Sequence, residues 1–359
     1  MKVCIYFEGI NNIKKSGIGR AFSHQVEICK QNNIEYTTNF KDNYDILHIN
    51  TIFLKSDEAI RYARKQNAKV IYHAHTTKED FENSFKMSNY IAPGLKKWLI
   101  RLYSKADLIL TPTEYSKKLI EGYGIKVPVM AISNGIDLTK YEPDINKEKE
   151  FFNYFNLKPE EKVFISVGLW FKRKGIIDFI ELAKELPQYK FIWFGHIAKS
   201  SIPAEIVEAM DNKPTNCLFP GYIAGNVIQG AFSAATAFIF MSYEETEGIV
   251  VLEALASKQN VIIRDIPVYQ DWLEDGKDVL KAKTIQDFKD KITYFVNNEK
   301  NEIRINGYEV AKTKDIHLVG MQMKKIYEYV LTLPEKKYIA KKISKQITYK
   351  ISDKKRNRL

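Results

Sequence analysis

Ten short apolar runs, separated by longer amphipathic stretches, constrain this chain more than any other feature of it. In the first half, residues 3–7, 46–49, 70–73, 108–111 and 127–132 are rich in β-branched residues and bounded by polar turns, which predicts buried strands. Between them, residues 19–31, 57–66, 93–104 and 114–123 carry helical spacing. The second half repeats the plan, with strands expected at 163–167, 191–194, 217–219, 237–241 and 261–263 and helices at 175–186, 203–210, 248–257 and 285–297. Strand and helix in strict turn predict parallel sheets covered on both faces, an α/β chain of two doubly wound domains. Ligands of such folds lie in the cleft where strand C-termini and helix N-termini converge.

A length of 359 residues suits two cores rather than one. Residues 137–159 are charged, hold two prolines and lack an apolar period, so the hinge is expected there. This gives an N-terminal domain at 1–157, a C-terminal domain at 158–333 and a tail at 334–359. No apolar run reaches the roughly 18 to 20 residues of a spanning helix, and residues 1–7 read as a strand rather than a signal peptide, so a cytoplasmic protein is expected. The three cysteines lack ligand or disulfide spacing and read as buried thiols. Net charge is +11, and residues 334–359 hold ten Lys or Arg against two acids, so the tail carries most of the excess. Such an excess predicts an anionic partner, nucleic acid or an acidic lipid surface. The tail's interspersed residues are isoleucines at near-helical spacing rather than stacking aromatics, which favours lipid and argues against nucleic acid.

Three segments carry the chemistry. Residues 241–255 read MSYEETEGIVVLEAL, placing Glu245 in a loop, Gly248 and Ile249 at a helix start and Glu253 inside that helix. Unpaired amides at a helix N-terminus form an anion site, and flanking carboxylates can accept hydrogen bonds from the hydroxyls of a sugar and a ribose. Residues 15–20, KSGIGR, follow the first strand; Gly17 and Gly19 allow close backbone approach to a ligand. His73 and His75 sit together after the third strand, where alternation makes His73 a core residue. No third ligand accompanies the two histidines, so neither metal nor other cofactor is expected.

In order, these segments resemble the retaining GT-B glycosyltransferases of family four. Their usual Ser-x-x-Glu-Gly-Phe-Gly-x-x-x-x-Glu-Ala is matched by Ser242, Glu245, Gly248, Glu253 and Ala254, with Thr246 and Glu247 replacing Gly and Phe. Residues 166–175, SVGLWFKRKG, resemble the loop that holds the donor phosphates; Gly168 is kept but Leu169 replaces the usual arginine. Residues 133–137 resemble the interdomain segment and 106–113 the strand before a first-domain helix, so the likeness covers roughly residues 2–330. It implies a GT-B fold whose last helix crosses back to the N-terminal domain. It further implies a UDP-sugar donor, His75 beside the transferred sugar, Glu245 and Lys174 as catalytic groups, and Gly17, Gly19, Gly168, Arg173, Gly248, Ile249 and Glu253 around the donor. Arg173 and Lys174 would neutralise the diphosphate leaving group.

Residues 76–85, 244–253 and 264–269 further resemble the enzymes that add a second α-linked hexose to monoglucosyldiacylglycerol, which act as monotopic proteins. Residues 93–105 place Leu95, Trp98, Leu99 and Leu102 on one side, with Lys96, Lys97 and Arg101 around them, as an interfacial helix would. With Lys341, Lys342 and Lys345 of the tail, they are the expected contacts to a lipid acceptor and the inner face of the cell membrane. The expected activity is transfer of glucose or galactose to that glycolipid. A soluble or polymeric glycan acceptor is the alternative within the fold, and a non-catalytic GT-B accessory protein the alternative outside catalysis. Neither the pattern nor the resemblance specifies an oligomeric state.

Overall fold

The computed structural model describes residues 1–9, 16–298, 301–334 and 336. The tail lysines Lys341, Lys342 and Lys345 lie outside the described residues. Two six-stranded parallel sheets form the molecule. The first consists of β1 (Lys2–Tyr6), β2 (Glu35–Thr37), β3 (Ile46–Ile49), β4 (Lys69–His73), β5 (Leu108–Thr111) and β6 (Val129–Ala131), in the order β2-β1-β3-β4-β5-β6. The second consists of β7 (Val163–Val167), β8 (Lys190–Phe194), β9 (Cys217–Gly221), β10 (Ala237–Phe240), β11 (Val261–Arg264) and β12 (Leu280–Ala282), in the order β12-β11-β10-β7-β8-β9. The two strands absent from the sequence reading, β2 and β12, are three-residue edge strands whose exposed or charged residues break the apolar run.

Both faces of each sheet are covered, as the unbroken apolar strands require. Along β4, Val70 and Tyr72 join one core while Ile71 joins the other, the period-two alternation of a strand buried on both sides. Five helices bear on the site: α1 (Gly17–Gln31), α2 (Leu54–Lys65), α3 (Ser88–Tyr103), α4 (Ile249–Ala256) and α5 (Ile316–Thr332). The last of these lies on the first domain, where Ile316, Val319, Met323, Tyr327 and Val330 complete the core of Val3, Ile5, Ile71 and Leu110.

Two expectations change. Residues 145–154, placed by sequence with the first domain, form a helix whose Phe151 is fully buried in the second-domain core. Their contact is so close that a Cβ on Gly230 would stand 2.0 Å from the Lys147 carbonyl oxygen, so the chain has already crossed over by this helix. Helix α3 begins five residues before Pro93, after Met87 in the left-handed region (φ 65°). Its apolar stripe is turned inward. Leu99 and Leu102 are fully buried, Leu95 and Trp98 pack on the same core, and the Trp98 indole donates to the Ile52 carbonyl at 2.6 Å. The stripe is therefore the core face of an amphipathic helix, because α3 needs it to cover the sheet. Among the described residues no helix is long and apolar enough to cross a membrane.

Candidate active site

The C-terminal ends of β7 and β10 bring the two halves of the donor motif together. Lys174, after β7, and Glu245, after β10, form a direct ion pair, although 71 residues separate them. Burial pushes the Lys174 ammonium down against the pull of Glu245. Burial would raise the Glu245 carboxyl, but Lys174 and then Arg173 outweigh it and hold it below the usual range. Two glycines make this approach possible. A Cβ on Gly175 (φ 76°) would lie 2.3 Å from the Met241 carbonyl oxygen, and one on Gly248 (φ 80°) 2.6 Å from the Tyr269 hydroxyl. Gly248 then caps α4, and no acceptor among the described residues meets its N–H or that of Ile249. A buried ammonium and two free helix-start amides are groups that can stabilise an anion such as a diphosphate.

One turn further, Glu253 is fully buried. Its Oε1 accepts from Arg20 of α1 and from the Tyr141 hydroxyl at 2.8 Å, while Oε2 has no partner among the described residues. That oxygen keeps the capacity to accept a hydrogen bond, from a hydroxyl for example. Arg20 lies in the first turn of α1, beside Gly17 and Gly19, so a first-domain cation reaches the donor side of the cleft. Its signal was present in KSGIGR, but spacing alone could not connect it to Glu253. Gly19 is buried and its amide lies 3.4 Å from the Ser16 hydroxyl, a helix cap, while Gly17 is exposed at the helix start. Gly168 donates its N–H to the Phe194 carbonyl at 2.9 Å and accepts from the Trp193 indole at 2.9 Å, so it shapes the loop rather than offering a free amide.

Arg173 has partners of another kind. Its guanidinium contacts Asp80 at 3.0 Å, the Ser84 hydroxyl at 2.7 Å and the Glu244 carbonyl at 3.0 Å, with Glu245 at 3.9 Å. Asp80 and Ser84 belong to the first domain, so Arg173 clasps the two domains at the lip of the cleft. Glu247, which replaces the usual Phe, does similar work: its buried carboxylate accepts from the Ser133 hydroxyl and from Asn134, at 3.1 Å (backbone) and 2.6 Å (side chain). Neighbouring Glu244 has its carboxyl pushed up to about 7 by burial, against the lowering hydrogen bond from Tyr115 at 2.9 Å.

On the first-domain wall, His75 follows β4 and is nearly buried; burial lowers its imidazole to about 3, so it is neutral at physiological pH. Its Nε2 lies 2.9 Å from Asn50 Oδ1. In the same domain, a cavity of about 650 Å³ is lined by Glu8, Gly9, Ile52, Phe53, Leu54, Phe81, Leu95 and Trp98. Of its lining, Phe53 and Leu54 are open to solvent, Leu54 at 78%, and at the start of α3 Tyr90 (86% exposed), Met87 and Ile91 are exposed too. Of the predicted basic contacts on α3, Lys97 and Arg101 are exposed, Arg101 stacking on Trp98 at 5.6 Å, while Lys96 sits over the Tyr123 ring at 4.4 Å. The described chain ends at Lys336, whose ammonium reaches the Ala106 carbonyl just after α3. Among the described residues no group of three His, Cys, Asp or Glu is arranged to hold a metal ion.

Known proteins share this architecture. Residues 33–140 match the family described as Glycosyltransferase Family 4 and residues 147–310 that described as Glycosyl transferases group 1. The processive diacylglycerol alpha-glucosyltransferase of Acholeplasma laidlawii is 46% identical over 334 residues, 93% of this chain and 99% of that protein. The alpha-galactosylglucosyldiacylglycerol synthase of Streptococcus pneumoniae is 25% identical over 268 residues, 72% of this chain and 70% of its own length. Among solved structures, Anabaena HepE in complex with UDP and glucose superposes with a TM-score of 0.71 at 14% identity, over 91% of this chain and 99% of that one. Two parallel six-stranded sheets, the paired-glutamate segment that leads into α4 and an identity of 46% along nearly the whole length place this chain in glycosyltransferase family four, with the GT-B fold.

Proposed function

We propose that this protein transfers an α-linked hexose, with glucose as the preferred sugar, from its UDP donor to a diacylglycerol-based lipid, with retention at the anomeric carbon. The observation that carries this reading is the buried Lys174–Glu245 pair beside the free amides of Gly248 and Ile249, followed by the orphan Oε2 of Glu253. Diphosphate on the amides and Lys174, ribose on Glu253 and hexose toward Glu245 and His75 would use each group for the charge it carries. The C1–O bond to the diphosphate breaks as the acceptor hydroxyl forms its bond to C1 on the same face. The acceptor proton passes to the departing phosphate oxygen, so no separate strong base is needed; a neutral His75 serves as a hydrogen-bonding group beside the sugar. A glucosyl donor and a diacylglycerol or monoglucosyldiacylglycerol acceptor are supported by the names of the relatives above.

Such an acceptor places the enzyme at a lipid surface. The exposed Leu54, Tyr90, Ile91 and Met87 would supply the apolar contact that the inward-turned stripe of α3 cannot, and the cavity that Leu54 lines is apolar enough for an acyl chain. Lys97, Arg101 and the tail would add attraction to anionic headgroups on the inner face of the membrane. The test is to incubate the full chain with UDP-glucose or UDP-galactose and vesicles containing diacylglycerol or monoglucosyldiacylglycerol, identifying products by mass and anomeric configuration by NMR. An α-glucolipid is expected; transfer only to soluble or polymeric glycans would overturn the lipid reading, and a β-product would overturn retention.

A further inference from the structure

A continuous chain of buried polar groups runs from the crossing helix α5 to His75, and its direction can be worked out. Tyr327 is fully buried on α5, and its hydroxyl lies 2.8 Å from His48 Nδ1. No other acceptor among the described residues meets that hydroxyl, so the phenol donates and His48 carries its proton on Nε2. His48 Nε2 lies 3.2 Å from His73 Nδ1, which is then a bare acceptor, so the His73 proton sits on its buried Nε2, which meets no acceptor among the described residues. Gln25 presents its NH₂ to the same His73 Nδ1 at 3.0 Å and to Asn50 Oδ1 at 2.8 Å, while Asn50 returns a hydrogen bond to Gln25 Oε1 at 2.7 Å. The two amides can turn over only together, because flipping one alone would set NH₂ against NH₂ and oxygen against oxygen. Asn50 Oδ1 therefore faces His75 and can only accept, which fixes the His75 proton on Nε2 and leaves Nδ1 as a lone pair. The rings are held parallel along this path, His48 on His73 at 5.3 Å and His73 on His75 at 4.1 Å.

We propose that Tyr327, His48, Gln25 and Asn50 are positioning residues that set the tautomer and ring orientation of His75, so that the C-terminal helix, not β4 alone, prepares the first-domain wall of the site. In that tautomer His75 Nδ1 accepts a hydrogen from a sugar hydroxyl; in the other Nδ1 carries the proton and can only donate to the hydroxyl oxygen, while Nε2 sets a lone pair against Asn50 Oδ1. A misdirected contact of this kind costs about tenfold or more in turnover. The inference rests on the role assigned above to His75, and the measurements separate the two.

The experiment uses the full chain with ¹⁵N-labelled histidine, the His75 signals being identified by their loss in His75→Gln. The wild type is expected to show one neutral His75 tautomer with its proton on Nε2; a proton on Nδ1, or exchange between tautomers, would overturn the proposal without any further variant. Tyr327→Phe removes one hydroxyl from a site some elements away from the donor. It is expected to mix the His75 tautomers and lower kcat severalfold, with UDP affinity within about threefold of wild type. Asn50→Ala should do the same more strongly, by about tenfold. An unchanged His75 tautomer in both variants, or loss of UDP affinity in step with kcat, would mean that the chain serves packing only. Full activity of His75→Ala would overturn the catalytic role of His75 itself, an outcome kept distinct because the tautomer is read without turnover.

Discussion

Replacing Arg173 by Ala separates two uses of one cation. The sequence resemblance assigns Arg173 to the donor phosphates, whereas its contacts run to Asp80, Ser84 and the Glu244 carbonyl. The Arg173 and Asp80 side chains are 10% and 19% exposed, so the pair is largely withdrawn from water. Burial raises the Asp80 carboxyl and Arg173 is the main influence pulling it back. Removing one partner of such a pair costs about 3 kcal/mol or slightly more, because the remaining charge is left uncompensated. The sign with pH follows from Asp80. A carboxyl whose folded pKa lies above its unfolded value of 3.8 gives its full stability below that value and loses it as the pH rises through the folded pKa. Without Arg173 that folded pKa rises further, so the deficit of the variant should be greatest at neutral pH and should shrink on acidification. Asp80→Asn in the same chain removes the stranded charge and should recover about half of the loss. Thermal unfolding of the single and double variants from pH 5 to 8, beside calorimetry with UDP, reads both quantities. Unchanged stability with UDP binding abolished would refute the clasp and return Arg173 to the phosphates.

Three other outcomes are expected. Glu245→Gln and Lys174→Ala should each lower turnover at least about tenfold with folding intact, measured by product formation and circular dichroism, since each removes a charge aimed at the donor. Glu253→Ala should weaken UDP binding in calorimetry more than it slows transfer at saturating donor, and Arg20→Ala should weaken it less, because Oε2 remains to meet a hydroxyl. Deleting residues 338–359 should reduce sedimentation with anionic vesicles in low salt, while Leu54→Ser with Tyr90→Ser should reduce it in high salt, where screening leaves mainly the apolar contact.

Much of the fold was legible because both sheets are parallel and buried on two faces, which forces short apolar strands between amphipathic helices. The edge strands escaped because the exposed Glu35 and the charged, half-buried Lys281 interrupt them and an edge needs no continuous apolar run. Helix α3 shows a different limit. Leu95, Trp98, Leu99 and Leu102 have the same spacing whether a sheet or a lipid surface covers them, and only the three-dimensional arrangement showed that the sheet does. In the site, the motif residues were legible as local segments, but their partners were not. Nothing in the spacing joins Arg20 to Glu253 or Glu247 to Asn134, since each of those contacts depends on how the two sheets face one another, nor Asn50 to His75, which meet only because β3 pairs with β4.

Those partners also explain how the chain tolerates its departures from the family pattern. A phenylalanine at position 247 would fill the interdomain seam with apolar volume; Glu247 fills it with a carboxylate held by three donors from residues 133 and 134. Burial raises this carboxyl, so the seam costs more as it ionises, and the donors of Ser133 and Asn134 offset part of that cost. The missing arginine after Gly168 follows the same logic. With Arg173 turned to Asp80, the cations left for a diphosphate are Lys174, already paired with Glu245, and Arg20, already paired with Glu253. Both carboxylates are those a bound sugar and ribose would engage through hydroxyl groups. In the proposed donor pose no new positive charge is needed: hydrogen bonds from the donor's hydroxyls to Glu245 and Glu253 would loosen two existing pairs and free their cations for the phosphates. On the proposed reading, the charge that would stabilise the leaving group is held in part on each domain, by Lys174 of the second and Arg20 of the first.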